Sequence, residues 1–537
     1  MFAEVILHRR IPAKFDSFTY EVPQDFALNE GQIVTVPFRN QRLPAIVRKL
    51  HNQKPAYKTK LIETAASLVL PPRQMEFAVW MSERYKCSFS KVIDLFIPEK
   101  IWSPSKKIAQ KNSELEESAK KNETQIKIPD PKLQTLIKEL TSTSDLKLLL
   151  EKIPLPRKDF YNELINSTPE DSQTLFIFPE IFYAQKFGEG AEQFHSGLNE
   201  NKKAEVWESV RTGETKAVFG TRASLFLPFE KLSLIVVDYE HNENYNEKRQ
   251  PNYNAVEAAE HLAKIWNVPL IIISSTPRVE TWHKNKNITW DDKEKLTPIT
   301  ILDMADERRK GNFSVFAEKT TERIAANLAQ DKQILLFINR KGESSATLCT
   351  DCGEVFKCEK CNGILTLHEE NLLKCHKCKI QIEIPDNCYK CDSINLKSIG
   401  SGTEKIEKEI SKIFSKAHVL RLDQETIAAR KLDEKTLNKA DILIATQIID
   451  KPLDLPRLKL SIALTPDFLL NMPDFRATER VFQILTHIRH LTQNGEMIIQ
   501  TFLSEHKLFK NLQENRMEDF YEDELAARKM LNLPPFN

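Results

Sequence analysis

The chain has 537 residues, 41% of them apolar, with 77 Lys/Arg against 76 Asp/Glu and a net charge of +1. That length supports three or four separate cores, and the near-neutral charge excludes a globally basic nucleic-acid coat, so any DNA surface must come from local asymmetry. No stretch approaches the roughly 20 apolar residues of a membrane span, and Glu4 and His8 interrupt the N-terminus where a signal core would lie, which predicts a cytoplasmic protein with no membrane partner.

Residues 1–60 alternate as strands do, around Val5-Ile6-Leu7, residues 18–22, 32–36 and 45–47, with Gly31 at a turn. A small β domain is predicted. The same segment holds ten Lys/Arg against five Asp/Glu, including Arg9, Arg10, Arg39, Arg42 and Arg48. Such an excess suits phosphate contacts, and it equally suits a solvated charged face. Phe18 and Tyr20 can stack a base, although aromatics at alternate strand positions also build cores. A helix is predicted over 73–85, closing a first domain at residue 100. Residues 101–130 are Lys-, Glu-, Asn- and Ser-rich, a polar linker.

From 131 to 300 short apolar runs at 146–150, 174–178, 216–219, 234–237 and 270–273 alternate with helical stretches, predicting a parallel sheet with covering helices. A second α/β lobe is predicted over 301–345 and 400–515, with strands at 333–338, 419–422, 442–445, 460–464 and 497–501, leaving 516–537 as a C-terminal tail. Residues 346–399 interrupt that lobe with eight of the nine cysteines in four Cys-x-x-Cys pairs: Cys349/Cys352, Cys358/Cys361, Cys375/Cys378 and Cys388/Cys391. Two tight knuckles offer four thiolates to one ion, so four pairs imply two structural zinc sites, by interleaved or sequential pairing. The alternatives are a disulfide framework, which suits a small secreted domain, and a redox dithiol; a chain of this size with only Cys87 outside the cluster points to Zn²⁺.

Phe337-Ile338-Asn339-Arg340-Lys341-Gly342, the cysteine spacing, and Gly400-Ser401-Gly402-Thr403-Glu404-Lys405 resemble the replication-restart helicase family PriA, primosomal protein N′. The resemblance implies that Cys349, Cys352, Cys388 and Cys391 share one zinc and Cys358, Cys361, Cys375 and Cys378 the other. It extends to Phe18-Thr19-Tyr20, Glu30-Gly31 and Val36-Pro37-Phe38-Arg39, similar to the family's domain that captures a DNA 3′ end. This makes Phe18, Thr19, Tyr20, Gly31, Arg39, Arg42 and Arg48 the candidate DNA-binding residues. The family often carries Asp where Thr19 stands. Pro179-Glu180-Ile181, His195-Ser196-Gly197-Leu198, residues 220–226, Asp238-Tyr239-Glu240-His241 and Ser274-Ser275-Thr276-Pro277 resemble the first RecA-like helicase lobe. Phe475-Arg476-Ala477-Thr478-Glu479-Arg480 resembles the second, and residues 522–536 resemble the family's junction into a C-terminal domain. That domain and the family's winged helix are expected to be absent.

The nucleotide motifs depart from the pattern. A phosphate loop uses glycines so that backbone N–H groups can close on phosphate, but after Leu148-Leu149-Leu150 the chain runs Glu151-Lys152-Ile153-Pro154-Leu155-Pro156-Arg157-Lys158, with no glycine between Gly31 and Gly188. Arg157 stands in the place of the phosphate lysine and Tyr239 in the place of the carboxylate that activates water; Asp238 is placed to hold Mg²⁺, and the favoured alternative is that it caps a strand end or pairs with a local cation. Pro452 replaces a glycine in the motif at Thr446, and Arg489 is the one arginine near the finger position. The expectation is an α/β chain with a small N-terminal β domain and two degenerate RecA-like lobes. It predicts a replication-restart protein that binds forked or 3′-ended DNA, two zinc ions and primosome proteins, is not an enzyme, and needs no ATP. The alternatives are an ATP-dependent 3′–5′ helicase and a scaffold that does not touch DNA.

Overall fold

The computed structural model describes the chain except for residues 9–16, 103–129, 153–154, 286, 291–295, 339–345, 350, 353, 361–364, 369–371, 376–377, 400–402, 423–433, 447–452 and 473. Arg9 and Arg10, nearly all of the polar linker, Cys361 and Pro452 therefore lie outside the described residues. Two compact units are present, one of Met1–Leu150, Leu155–Ser274 and Asn285–Thr289, the other of Glu151–Pro154, Ser275–Lys284 and Trp290–Asn537.

The first unit begins with a five-stranded antiparallel sheet in which Phe2–Leu7 lies between Phe18–Glu21 and Gln41–His51, followed by Gln32–Phe38 and Thr64–Val69. Side chains on a strand alternate between faces. Val5, Val34, Val36 and Val47 therefore build a small core on one face, while Ile6, Ile33 and Ile46 on the other join a much larger one. The larger core starts with the helix Pro72–Arg84, where proline at the first turn costs no hydrogen bond and Phe77, Ala78 and Met81 face inward. It continues without a break into the α/β layer through Leu175, Ile235 and Leu262.

Polar contacts fix the same junction. Gln74, fully buried, donates to the Leu227 carbonyl at 3.2 Å, the Trp207 indole donates to Phe96 O at 2.7 Å, and Trp80 stacks on His261 with centroids 4.0 Å apart. The β domain and the first α/β lobe share one core.

That lobe has a seven-stranded sheet. In spatial order its strands are Asn287–Trp290, Leu146–Glu151, Leu270–Ser274, Leu232–Asp238, Gln173–Ile177, Ala217–Gly220 and Glu192–Phe194. The five apolar runs read from the sequence all form strands in it, because parallel strands covered on both faces read as continuous apolar segments. Glu192–Phe194 is too short to show such a run.

The second unit has a six-stranded sheet in the order Ile299–Asp303, Glu496–Thr501, Leu458–Leu464, Gln333–Ile338, Ile442–Ala445 and Val419–Leu422, each neighbouring pair parallel. Its strand Ile299–Asp303 straddles the lobe boundary read from the sequence at 300/301, and the unit changes earlier, after Ser274. Between Gln333–Ile338 and the helix Thr403–Ile413 a separate five-stranded antiparallel sheet carries the cysteines. The segment expected to be a tail is instead the helix Met517–Met530, with Phe520, Tyr521 and Arg528 buried. Phe520 stacks on Phe482 at 3.8 Å between ring centres, so apolar contact holds it in place. No helix among the described residues is long and apolar enough to cross a membrane.

Candidate DNA interface, metal centres and nucleotide motifs

The candidate DNA residues divide by depth. Phe38 pairs with Gln41 across the two-residue hairpin Arg39-Asn40, and Arg39 takes the left-handed conformation such turns need, at φ 52°. The Phe18 ring meets Phe38 edge-on at 5.1 Å, and the Arg39 guanidinium lies 5.8 Å from the Phe38 ring centre. Arg42, largely exposed, pairs with Glu63 at 2.7 Å, and Lys60 reaches the Arg39 carbonyl at 3.5 Å. Tyr57 and Leu61 on the adjoining loop are exposed. Half-buried aromatics ringed by cations suit a stacked base with flanking phosphates. Thr19, half-buried, sits opposite Glu4.

Three of the sequence candidates have other roles. Tyr20 is in the small core with its hydroxyl donating to Pro37 O at 3.2 Å; it supports the hairpin from beneath and offers no open ring face. Gly31, φ 83°, is buried, and a Cβ there would come within 2.5 Å of Leu70 O, so the glycine permits a backbone approach. The Arg48 guanidinium lies over the Phe89 ring at 5.1 Å, against the helix Phe89–Phe96. Lys60, which the sequence did not single out, joins this face through the Arg39 carbonyl, and the hairpin turn at Arg39-Asn40 was the available signal.

The cysteines gather as two groups. Sγ atoms of Cys349, Cys352, Cys388 and Cys391 all lie within 4.8 Å of one another, and those of Cys358, Cys375 and Cys378 do likewise. The outer pairs thus come together, and Cys358 comes together with Cys375 and Cys378, which excludes the sequential pairing. Thiolates at about 2.3 Å around a tetrahedral ion have edges of about 3.8 Å, and Cys349–Cys391 and Cys352–Cys388 are 3.5 and 3.7 Å apart. The donor set fits a metal ion. Two knuckles are built alike: the residue after the second cysteine, Lys379 or Asp392, has positive φ and donates its N–H to the first cysteine's carbonyl, Cys375 at 2.8 Å or Cys388 at 2.9 Å. Around the four-cysteine group, Glu354 accepts from Tyr389 at 2.8 Å and pairs with Lys390 at 2.9 Å.

At the carboxyl end of Leu232–Asp238, Asp238 is almost fully buried and meets Arg157, the first residue of the helix Arg157–Ser167, with Nε to Oδ2 at 2.8 Å. The Tyr161 hydroxyl donates to the same oxygen, and the Tyr239 amide donates to Oδ1 at 2.7 Å. The pairing of Asp238 with a local cation is as the sequence suggested. Tyr161 was not singled out; it lies four residues after Arg157, on the same helix face. Burial, reinforced by Asp238, pushes its phenol well above the ordinary range.

Arg489 is not placed as a finger. It is 7% exposed, with Nε donating to Thr297 O at 2.7 Å and Nη1 to Leu512 O at 3.0 Å, and burial lowers its pKa to about 10. It braces backbone carbonyls within the second unit.

Residues 4–98 match the PriA 3′DNA-binding domain (3′BD). The chain is 33% identical to the replication restart protein PriA of Bacillus subtilis over 395 residues, 70% of this chain and 48% of that protein. It is 28% identical to the replication restart protein PriA of Rickettsia conorii over an alignment of 561 positions, covering 98% of this chain and 84% of that protein. The chain belongs to the PriA family of replication restart proteins. Its match spans about half the length of the Bacillus and Synechocystis relatives. Among solved structures, RecG bound to a three-way DNA junction aligns with TM-score 0.41 and 13% identity, over 83% of this chain and 50% of that one.

Membership corrects one expectation. The altered nucleotide motifs predict a chain that is not an enzyme, whereas the PriA relatives form an enzyme family, and the Rickettsia conorii protein aligns over 98% of this chain.

Proposed function

We propose that this PriA-family chain binds forked or 3′-ended DNA through the hairpin face of its N-terminal domain and carries two structural zinc ions in the insertion of its second lobe. The observation that carries the reading is the match of residues 4–98 to a 3′DNA-binding domain on a fold that exposes Arg39 and Arg42 beside Phe18 and Phe38. A 3′-terminal base would stack against the aromatic pair, with cations neutralising the phosphates; phosphate contacts position and stacking tolerates any base. Cys349, Cys352, Cys388 and Cys391 would hold one zinc, and Cys358, Cys375 and Cys378 with Cys361 the second. The ions would supply no chemistry beyond cross-linking the short strands of the insertion. Primosome proteins are the partners this reading implies.

A second reading, an ATP-dependent 3′–5′ DNA helicase of the PriA type, is favoured by the alignment along almost the full chain. Fork binding measured with and without ATP, alongside strand displacement, tests both. Tighter binding to a fork with an accessible 3′ end than to the same fork with that end blocked supports the first reading; equal binding to both and to blunt duplex sinks it. ATP-dependent displacement establishes the second.

A further inference from the structure

The resemblance to a RecA-like helicase lobe would put a magnesium ion on Asp238, which ends the strand Leu232–Asp238, and the residues present do not fit one there as they stand. A carboxylate offers about four lone-pair directions. Asp238 already accepts from the Arg157 Nη2 at 3.5 Å, the Tyr161 hydroxyl and the Tyr239 amide at 2.7 Å, and it is ion-paired with the Arg157 Nε at 2.8 Å. Its buried negative charge is also balanced by the guanidinium.

The partners differ in how readily they can leave. Tyr161 is fully buried, with its ring 5.1 Å from that of Phe176 and 6.0 Å from that of Phe219, and the amide belongs to the backbone. Arg157 stands at the first turn of its helix, 9% exposed, over the Tyr239 ring at 5.3 Å. It is the outermost of the donors and the one on a flexible stem.

We infer that Arg157 is a built-in gate: its guanidinium and a divalent cation compete for the Asp238 carboxylate, and a cation gains that carboxylate only when Arg157 swings away. Removing the arginine frees one hydrogen-bonding direction and takes away the cation paired with the carboxylate, so it raises divalent-cation affinity at Asp238. A lysine on the same helix turn keeps the charge and keeps the gate shut. The inference rests on the Asp238 environment alone and is independent of DNA binding.

The test is Mn²⁺ titration of the zinc-loaded full chain, read by electron paramagnetic resonance without nucleotide. Arg157→Gln should bind one Mn²⁺ about tenfold tighter than the parent, the scale of one charge contact at a partly buried site. Arg157→Lys should match the parent, and Arg157→Gln combined with Asp238→Asn should lose the gain. Equal affinity in parent and Arg157→Gln, or a gain that survives Asp238→Asn, overturns the gate. Fork binding in the same samples reports folding of the first unit: absence of fork binding in every sample, parent included, counts against the proposed function while leaving the Mn²⁺ comparison intact. Should Arg157→Gln not fold, the parent and Arg157→Lys are compared with Arg157→Met, whose stem fills the same space.

Discussion

Arg528 Nη2 lies 2.8 Å from Glu479 Oε2, and at 2% and 3% exposure the two side chains are almost out of water. Arg528 also faces Glu280 and Glu524 at 3.4 Å each, Arg476 bonds Glu280 and Glu479, and Glu479 Oε1 accepts the Val279 amide at 2.9 Å. Charges this deeply buried persist only when paired and hydrogen-bonded. The cluster joins three segments of the second unit, and the Tyr521 hydroxyl adds a bond to Pro277 O at 2.6 Å. Residues 522–536 and the Phe475-Arg476 motif, two separate stretches of resemblance in the sequence, are thus one structural element.

Arg528→Ala should therefore destabilise the second unit by about 3–5 kcal/mol, because it strands Glu479 with less compensation in a dry site. Urea unfolding of the full chain, followed by the fluorescence of Trp282, which stacks on Tyr521 at 4.3 Å, measures it. A change below about 1 kcal/mol would mean that Arg476 alone balances the cluster.

His8 sits between Asp94 at 3.3 Å and Glu99 at 3.2 Å and stacks on Trp102 at 4.5 Å. The Asp94 hydrogen bond leads in raising its pKa, against a burial cost. A histidine whose folded pKa is raised stabilises the fold fully below its ordinary value of about 6.5, and that stability is lost as pH rises through the folded pKa. The melting temperature of the parent should consequently fall more than that of His8→Gln between about pH 6 and pH 9. Both carboxylates are half or more exposed, so screening keeps the effect under about 1 kcal/mol. Parallel pH profiles for the two proteins would remove His8 as the cause.

Metal analysis of the purified chain should return two Zn²⁺ per chain. Cys358→Ser or Cys378→Ser should release one and loosen the insertion while the Cys349, Cys352, Cys388 and Cys391 site stays filled, since binding and local folding are linked at each site separately. Loss of both ions from either single variant would show that the two sites form one cooperative unit.

Fork affinity should fall as salt rises, and Arg39→Ala with Arg42→Ala should weaken binding and reduce the log–log salt slope by about 2, one phosphate contact for each arginine. Arg48→Ala should change the slope little, because its guanidinium packs on Phe89. A full-size slope in the double variant would place the DNA surface away from the hairpin.

By itself the sequence determined the element types and the chemistry of the clusters. Fully buried parallel strands read as apolar runs, so five strands in each lobe were legible to within two residues, and four cysteine pairs at two-residue spacing pointed to metal sites. Tertiary structure decided which distant groups meet. Two-residue alternation shows that Phe18 and Tyr20 differ from Thr19 in face, but not which aromatic is roofed over; packing put Tyr20 in the core and left Phe18 against Phe38. Four identical Cys-x-x-Cys pairs carry no pairing information, and only the folded insertion brings Cys349 and Cys352 to Cys388 and Cys391. Asp238 finds Arg157 81 residues away and Arg528 finds Glu479 49 residues away. Local propensity acts over one or two turns, whereas a buried charge takes whichever opposite charge the closed core sets beside it.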